Sequence, residues 1–362
     1  MNQIILYGFG GLGKKFYNYI TSRNFDVVSI LDKNKTGEKF GIIKIGNPKV
    51  YECKILPIII TILNEYVNLD EVKQYLIDLG YRNVYTIFEA IKEFNLIDFE
   101  HLFIKHPYYL NDSIVKNNIR KTRDLLSDEQ SRKIFDSIVD FRKTFDYNLI
   151  NHFCNNDMYL PEPVIAKVKE LEKVNIVDCG ACYGDLVDIF NNKNININNY
   201  YAFEPDKSNL SKLKSKIIDK NINSCIFPMG VGNFNGLIGF NYGSGTGCNI
   251  DVNSNDKIMV TKIDDVVLSD VNFVKMDIEG FENEALEGMQ ELIKKNKPIL
   301  AISVYHKPLD FIDIPLSFSR NANNFTSECI EDLDSILSCM EYKNFYIRYH
   351  GNYGFEFVLY VF

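Results

Sequence analysis

The stretch that decides the fold is Asp178-Cys-Gly-Ala-Cys-Tyr-Gly184, which is followed along the chain by Phe203-Glu204-Pro205. The apolar residues Val174, Ile176 and Val177 before it predict a buried strand, and the apolar spacing of residues 186–190 after it predicts a helix. Strand, glycine turn, helix, strand and acid form a nucleoside-binding pattern. Glycine lets the backbone approach a ligand closely, and the Glu204 carboxylate can accept hydrogen bonds from both hydroxyls of a ribose.

Bulk composition describes a globular protein with an acidic balance. The chain has 362 residues, of which 46% are hydrophobic and 13% aromatic, so it can bury substantial cores and form two domains. A net charge of -8 and a pI near 5.3 argue against nucleic acid or an anionic membrane as a partner. The longest apolar run, residues 55–63, is far below the ~20 residues that cross a bilayer, and no basic leader with a cleavage site is present. We therefore expect a cytoplasmic protein without a membrane span, and the sequence leaves a homo-oligomer open.

The eight cysteines are scattered and form no disulfide framework. In a reducing compartment most of them are expected to be small core residues. Cys179 and Cys182 do form a CxxC motif, but it lies inside the glycine turn, where a redox or zinc role would compete with ligand binding. We interpret them as turn residues.

A second glycine motif opens the chain. Gly8-Phe-Gly10-Gly-Leu-Gly13 follows the apolar residues 4–7, and a second predicted strand ends at Asp32, which together predict a Rossmann-type βαβ unit within residues 1–95. Gly8, Gly10 and Gly13 could bind a diphosphate at the helix N-terminus, with Asp32 on a ribose. The alternative is a tight turn that binds no ligand.

The remaining chain divides into a helical connector, residues 96–172, and a second α/β unit, residues 173–362. In the connector, charges of both signs alternate with apolar residues at helical intervals, which is typical of solvated helix faces. Apolar runs and helical spacing predict the other elements: strands at 55–63, 84–87, 225–231, 237–242, 257–263, 272–277 and 298–304, and helices at 69–79, 206–218, 281–293 and 330–340. Residues 345–350 and 355–362, joined by a short glycine-bearing turn, predict a closing antiparallel hairpin.

Residues 126–362 resemble the FkbM-type methyltransferases. The matching stretches are Asp128-Glu-Gln-Ser-Arg-Lys, Phe141-Arg142, Met158-Tyr159-Leu-Pro161, Val177-Asp-Cys-Gly-Ala, Phe203-Glu204-Pro205, Thr261-Lys-Ile-Asp264-Asp, Lys275-Met-Asp277-Ile-Glu279-Gly280-Phe-Glu282, Leu286-Glu-Gly288, Ser303-Val-Tyr305-His306-Lys307 and Arg348-Tyr-His350. Their order and spacing are together specific. The resemblance implies a class I methyltransferase sheet with an antiparallel terminal strand, so the fold class is α/β with two Rossmann-like units joined by a helical connector.

The same resemblance implies S-adenosylmethionine as cofactor and, usually, O-methylation of a sugar or glycoconjugate, often in a surface polysaccharide. It implies that Asp178 and the backbone of the turn hold the methionine moiety, Glu204 the ribose, and Gly230 with Val231 the adenine. The expected cofactor-binding residues are Asp178, Gly180, Ala181, Tyr183, Gly184, Glu204, Pro205, Gly230 and Val231. For Glu204 the alternative is a strand-end carboxylate that caps the next helix.

Catalytic residues are expected where parallel strands end, because their carboxyl ends face the ligand crevice. His306 is the predicted general base, and Asp277 or Glu279 could orient the acceptor or take the proton instead. The residues expected around the acceptor are Tyr305, Lys307, Arg348 and His350. Asp251, Asp277 and Glu279 could hold a divalent cation, but no ligand spacing demands one, so no metal is predicted.

The first unit resembles the small nucleotide-sugar-binding domain fused to some sugar acyltransferases. The residues that carry this resemblance are Leu6-Tyr-Gly8-Phe-Gly10-Gly-Leu-Gly13 and Ile30-Leu-Asp32-Lys-Asn34, which imply a nucleotide or nucleotide-sugar ligand. Two alternatives to the methyltransferase stay open from the sequence. One is an NAD(P)-linked sugar oxidoreductase, although no Tyr-x-x-x-Lys or Cys-plus-His pattern follows the first motif. The other is a non-catalytic nucleotide-sugar sensor.

Overall fold

The computed structural model describes residues 2–64, 67–242, 249–251, 253–318 and 342–362. Two compact units divide the chain: Met1–Asn111 with Asp140–Leu149, and Asp112–Val139 with Ile150–Phe362. The residues predicted as a connector are shared between these two units.

The first unit contains a four-stranded parallel sheet in the order β2-β1-β5-β6. Its elements are β1 Asn2–Tyr7, α1 Gly11–Ser22, β2 Phe25–Leu31, β3 Lys39–Phe40, β4 Ile43–Lys44, β5 Ile58–Ile60, α2 Leu69–Asp78, β6 Val84–Thr86, α3 Ile87–Glu93, β7 Glu100–His101, β8 Ile104–Lys105 and a 3₁₀ helix Pro107–Asn111. The predicted βαβ unit is confirmed. The strand predicted at 55–63 is limited to β5, and α3, which begins with a capping box between Thr86 and Glu89, was not predicted.

The second unit carries the longer sheet. The elements that follow in the chain are α4 Ser113–Leu125, α5 Glu129–Thr144, α6 Asn148–Asn151, α7 Val164–Lys169, β9 Val174–Cys179, α8 Asp185–Asn192, β10 Ile197–Phe203, α9 Lys207–Asp219, β11 Ser224–Phe227, β12 Gly230–Val231, β13 Gly236–Asn241, β14 Asn249–Ile250, β15 Lys257–Thr261, α10 Ile263–Val266, β16 Phe273–Met276, α11 Glu282–Glu287, α12 Gln290–Asn296, β17 Ile299–Ser303, α13 Asp310–Ser317, β18 Phe345–Tyr349 and β19 Phe357–Val361. Helix α5 ends within the range that belongs to the first unit.

Seven strands form this sheet in the order β11-β10-β9-β16-β17-β19-β18. Neighbouring strands among β11, β10, β9, β16 and β17 pair in parallel, whereas β19 pairs antiparallel with both β17 and β18. The predicted closing hairpin and the reversed terminal strand are therefore confirmed. The carboxyl ends of β9, β10 and β16 meet at one edge, which is where parallel sheets of this kind bind ligands.

A smaller sheet is formed by residues 230–261, between β11 and β16 in the chain. Strands β12, β15, β13 and β14 form it, with β13 antiparallel to β15, so the strands predicted at 237–242 and 257–263 pair with each other. Phe240, Ile258 and Val260 form its own apolar cluster.

The predicted helix at 281–293 is two helices, α11 and α12, which are separated at Gly288. A Cβ at Gly288 would lie 1.8 Å from the carbonyl oxygen of Gly232, so close backbone approach accounts for the glycine. The helix predicted at 330–340 lies outside the described residues. Within those residues, no helix is both long and apolar enough to cross a membrane.

Candidate active site

A cleft opens at the carboxyl edge of the long sheet, with about 720 Å³ of open space. Its wall consists of Gly180, Cys182, Phe203, Glu204, Pro205, Asn209, Gly230, Val231, Phe240, Ile250, Ile258, Asp277, Ile278, Glu279 and Phe281. Apolar side chains of the smaller sheet line one side, and carboxylates stand at the ends of β10 and β16. A cleft that is mostly apolar with a few convergent polar groups is the usual form of a cofactor site.

The glycine turn after β9 is shaped by close backbone contacts. Gly180 has φ +76°, and a Cβ there would lie 2.0 Å from the carbonyl oxygen of Asp277, so only glycine fits. Gly180 and Ala181 both donate their N–H groups to the carbonyl oxygen of Phe203, each at 3.0 Å. Gly184, at φ 78°, is the N-cap of α8. The turn is therefore fixed against the ends of β10 and β16.

Glu204 lines the cleft and is 5% exposed. Its Oε2 accepts from the Cys182 N–H and its Oε1 from the Asp206 N–H, both at 2.8 Å. Burial raises the pKa of this carboxyl, although these backbone donors oppose the shift. The side chain thus ties the turn to the start of α9, whose N-cap is Asp206 rather than Glu204 itself. The Asn209 side chain also donates to this carboxylate. A carboxylate has about four lone-pair sites, so it can still accept from a ligand.

Asp178 is buried behind the turn and is not part of the cleft wall. Its Oδ2 accepts from the Tyr200 hydroxyl at 2.5 Å, and Lys275 Nζ lies 3.2 Å from its Oδ1. The structure therefore gives this carboxylate a protein cation as partner, instead of the predicted direct place beside the ligand. Burial alone lowers the pKa of Lys275, but Asp178 and Asp277 more than offset it and hold the pKa above its usual value.

Three carboxylates and a histidine form an acidic cluster at the end of β16: Asp277, Glu279, Glu282 and His306. Glu282 Oε1 accepts from the Ile278 N–H at 3.1 Å, and it thereby holds the loop that carries Glu279. Glu279 has φ 58°, a left-handed conformation that costs about 1–2 kcal/mol in a residue with a side chain. Such backbone strain is concentrated at functional sites.

His306 lies at the centre of the acidic cluster and is 3% exposed. Its Nδ1 lies 2.8 Å from Glu282 Oε1, and its Nε2 lies 3.4 Å from Asp277 Oδ1 and 3.8 Å from Glu279 Oε2. Burial alone lowers the pKa of the imidazole, but the carboxylates outweigh it and hold the pKa well above 6.5. The ring is therefore charged at neutral pH, which opposes its predicted role as general base.

The two cleft-lining carboxyls of the cluster differ in protonation. Burial raises the pKa of Asp277, but Lys275 and His306 reverse the shift, so the pKa is lowered and the group is ionised. Tyr159 donates its hydroxyl to Asp277 Oδ2 at 3.2 Å. In Glu279, burial is the largest cause of a pKa raised to about 7. A carboxyl with a pKa near 7 is suited to take a proton at physiological pH.

The other predicted cofactor residues divide between cleft wall and support. Gly180, Glu204, Pro205, Gly230 and Val231 line the cleft, whereas Ala181, Tyr183 and Gly184 are not in its wall. Lys212 Nζ lies 4.1 Å from the centre of the Tyr183 ring.

Two of the four predicted acceptor residues lie beside the acidic cluster. The Tyr305 hydroxyl lies 3.1 Å from Glu356 Oε1 and 3.5 Å from Asp277 Oδ1. Lys307 is half exposed, and its Nζ lies 4.0 Å from Glu284. Neither residue is in the cleft wall, which at this point is formed by Asp277 and Glu279.

The structure does not bring Arg348 and His350 to the cleft. Arg348 is 3% exposed and donates to Asp128 Oδ2 at 2.6 Å and to Ser131 Oγ at 2.7 Å. The His350 ring contacts the Tyr360 hydroxyl at 2.9 Å, and burial lowers its pKa to about 4. Both side chains instead join β18 and β19 to neighbouring segments.

The acidic cluster contains a set of side-chain atoms of the metal-ligand type. In the described part of the chain, Asp277, Glu282 and His306 bring such atoms within 4.8 Å of one another, close enough to hold a metal ion. Glu282 Oε1 and His306 Nδ1 lie 2.8 Å apart and also form an ion pair when the ring is charged. Asp251 accepts from Asn241 and Asn253 at 2.9 and 3.0 Å, and it is not in the cleft wall.

Sequence reasoning missed several residues of the site. Tyr159, Lys275 and Glu282 all lie in stretches that carried the family resemblance, so the motifs contained a signal, but no rule for strand ends or glycine turns selects them. Phe240 and Ile258 are apolar residues of the strands predicted at 237–242 and 257–263, where alternation marks a buried face without showing what covers it. Their contribution to the cleft needs the tertiary structure.

In the first unit, the glycine motif is held by its own backbone. Gly8 has φ +90°, and a Cβ on Gly13 would lie 2.4 Å from the carbonyl oxygen of Gly8. Asp32 Oδ2 accepts from the Phe9 N–H at 2.9 Å, and its Oδ1 accepts from Asn34 N–H at 2.8 Å. A Cβ at Gly10 would meet no atom within 4 Å, so the helix N-terminus is open there. Its ligand stays a prediction.

Cys179 and Cys182 carry free thiols. Cys179 is fully buried, and burial raises the pKa of both thiols, that of Cys182 to about 12. A thiol held in its neutral form is a poor nucleophile. This agrees with their interpretation as turn residues.

Residues 178–347 match the family model described as the methyltransferase FkbM domain, which is a little under half of the chain. No curated protein matches the chain. The solved structure of methyltransferase FkbM from Methylobacillus flagellatus KT is 20% identical, with a TM-score of 0.72 over 100% of this chain and 90% of that chain. This likeness shows the fold.

Other solved structures are more distant. Fibrillarin from Aeropyrum pernix, in complex with natively bound S-adenosyl-L-methionine, is 9% identical over 52% of this chain and 66% of that chain, with a TM-score of 0.30. An S-adenosylmethionine-dependent methyltransferase from Clostridium acetobutylicum ATCC 824 is 10% identical over 39% and 47%, with a TM-score of 0.25.

The chain therefore carries an FkbM methyltransferase domain. It is an enzyme, a methyltransferase. Of the three hypotheses from the sequence, this supports the first.

Proposed function

We propose that this chain, which carries an FkbM methyltransferase domain, methylates a hydroxyl oxygen of a sugar or glycoconjugate, for example in a surface polysaccharide. One observation carries the proposal: the Glu279 carboxylate lines the cleft, and its pKa is raised to about 7. A hydroxyl acceptor must lose a proton during transfer, so it needs a base of this kind. An acceptor that is already an ionised carboxylate has no proton to lose, so it needs no base.

The residues of the cleft fit the methyl donor. Glu204 would accept hydrogen bonds from the ribose hydroxyls, and the turn at Gly180 would face the methionine moiety. Phe240, Ile258 and Val231 offer an apolar surface for adenine. Bound there, S-adenosylmethionine supplies the electrophilic methyl group.

The roles in the acidic cluster follow from its charges. Glu279 would accept the hydroxyl proton, and Asp277, which is ionised, would orient the acceptor by accepting a second hydrogen bond. His306 would keep the two carboxylates in place as a buried cation rather than act as the base. Positioning of this kind contributes to catalysis because it fixes the geometry in which the reacting atoms meet.

A carbohydrate acceptor suits the polar groups that are available. Adjacent sugar hydroxyls are donors, and Asp277 and Glu279 present acceptor oxygens at the cleft wall. Several carboxylates at one end also disfavour acceptors that bear a negative charge there. This supports a neutral sugar residue as the methylated unit.

The test is methyl transfer from labelled S-adenosylmethionine to three groups of acceptors: neutral oligosaccharides, uronic-acid oligosaccharides, and amines of similar size. We expect labelled product only with neutral sugars, in a linkage that resists alkali as an ether does. Alkali-labile label would identify an ester and contradict hydroxyl methylation. If none of the acceptors is methylated, a separate calorimetric measurement of S-adenosylmethionine binding is the control. Binding without methylation means that the acceptors are wrong, and no binding means that the preparation is inactive.

For the first unit we propose a nucleotide or nucleotide-sugar ligand at Gly8, Gly10, Gly13 and Asp32. The open helix N-terminus at Gly10 supports this proposal. Calorimetry of the full chain with a UDP-sugar and with NAD tests it, and Asp32→Asn should weaken any binding that is seen. Binding that is unchanged in Asp32→Asn would place the ligand elsewhere.

A further inference from the structure

Lys275 occupies an unusual position for a lysine, in the middle of the long sheet. It lies on β16 directly opposite Asp178 of β9, and the side chains of this pair are 8% and 1% exposed. Lysine is seldom buried to this degree without a paired charge. Asp178 supplies the charge, but the neighbours of the ammonium include more than this carboxylate.

Three oxygens surround the Lys275 ammonium. Nζ lies 3.2 Å from Asp178 Oδ1, 3.3 Å from the carbonyl oxygen of Cys179 and 2.6 Å from the carbonyl oxygen of Gly180. The ammonium group has three donors, and it gives hydrogen bonds to the two carbonyl oxygens while forming an ion pair with the carboxylate. Two of the three contacts are to the backbone of the glycine turn.

These contacts fix the orientation of one peptide group in the turn. The carbonyl of Gly180 points to Lys275, and the N–H of the same peptide group, which belongs to Ala181, donates to the carbonyl of Phe203 at 3.0 Å. The peptide plane is therefore held at both ends, from β16 and from β10. Gly180 needs this support because glycine adopts several conformations at little cost.

We propose that Lys275 is a positioning residue, whose ammonium holds the glycine turn in the conformation that binds S-adenosylmethionine. Its second role, neutralising Asp178, is separable from the first. An unpaired buried charge destabilises the fold, whereas a loosened turn weakens cofactor binding in a protein that is still folded. Thermal unfolding and cofactor affinity therefore report the two roles separately.

The experiment compares Lys275→Met, Asp178→Asn and the double variant in the full chain. In Lys275→Met we expect a lower Tm and an S-adenosylmethionine Kd raised about tenfold or more, since hydrogen bonds from a charged donor are lost. In the double variant Asp178 carries no charge and Asp277 keeps His306 as its cation, so the Tm should recover above that of Lys275→Met while the affinity stays about tenfold weak. Asp178→Asn should bind within about threefold of the wild type, because the Lys275 contacts to the turn are kept.

Calorimetry measures the affinity and circular dichroism measures the Tm. Wild-type affinity in the double variant would overturn the proposal, because it would mean that Lys275 serves only to neutralise Asp178. If Lys275→Met does not fold, the double variant still decides, together with Lys275→Gln. The glutamine amide can donate to the Gly180 carbonyl, so the S-adenosylmethionine Kd of Lys275→Gln should lie between those of the wild type and the double variant. An affinity no better than that of the double variant would contradict hydrogen bonding to the turn.

Discussion

His306 and Glu282 form the innermost contact of the acidic cluster, with 2.8 Å between Nδ1 and Oε1. The other ring nitrogen, Nε2, faces Asp277 Oδ1 at 3.4 Å and Glu279 Oε2 at 3.8 Å. The same Glu282 oxygen accepts from the backbone of Ile278. One carboxylate thus fixes both the imidazole and the loop that carries Glu279.

Replacing Glu279 by glutamine should lower kcat by about 10²–10⁴-fold, because it removes the proposed base and keeps the shape of the side chain. The Kd for S-adenosylmethionine should change little. Steady-state kinetics and calorimetry measure the two quantities, and Glu172→Gln, at an exposed position, is the matched control. Wild-type turnover in Glu279→Gln would remove this residue from the mechanism.

The pH dependence of kcat should follow the ionisation of Glu279. Its pKa is raised to about 7, so the active carboxylate form is scarce at low pH and increases as the pH rises through about 7. Turnover should increase about tenfold per pH unit below that value and level off above it. A profile that already levels off near pH 5 would indicate an unperturbed carboxyl.

Replacing His306 by glutamine should shift that profile to higher pH. The imidazolium lowers the pKa of Glu279, so its loss lets the pKa rise further. A loss of about 3–5 kcal/mol of unfolding free energy is also expected, because buried carboxylates lose their cation. His152→Gln, at an exposed position, is the control. If His306 were the base, turnover would instead be lost at every pH without an alkaline shift.

Replacing Glu204 by alanine should weaken S-adenosylmethionine binding by about 10–100-fold, the size expected for losing hydrogen bonds to a charged group. Part of the effect would come from the turn, since Glu204 also accepts from the Cys182 N–H. Isothermal calorimetry measures it, with exposed Asp219→Ala as control. An unchanged Kd would mean that the cofactor does not contact this carboxylate.

Alanine at Gly180 should destabilise the fold by about 1–3 kcal/mol or more, because of its positive φ and the 2.0 Å approach to Asp277. Thermal unfolding measures this, and cofactor affinity should fall with it. Gly11→Ala is the matched control, since a Cβ there meets no atom within 4 Å. Equal Tm values for the two variants would show that the turn can move aside.

The glycine turn, Glu204 and the acids after β16 were predictable because each is a local pattern at the end of an apolar strand. Arg348 was not, since the contact that decides its position joins it to Asp128, far away in the sequence. The positive charge of His306 could not be predicted from the sequence either. Its ordinary pKa suggests a base, and only the three-dimensional placement of Glu282, Asp277 and Glu279 around the ring makes it a cation.

The break between α11 and α12 illustrates the same limit. The apolar spacing of residues 281–293 is continuous, so periodicity predicts one helix. A contact between Gly288 and the backbone of Gly232 ends it. Helical spacing records the buried face of a segment, but it carries no information on which distant backbone lies against that face.

The contact between Tyr305 and Glu356 has a consequence for the order of assembly during synthesis. Glu356 lies between β18 and β19, and its Oε1 is 3.1 Å from the hydroxyl of Tyr305, which also contacts Asp277. A nascent chain that has emerged from the ribosome only as far as β17 already contains the glycine turn and Glu204. It still lacks His306 of the acidic cluster, Tyr305 and Glu356, so we expect cofactor binding to be acquired before full turnover as the chain lengthens.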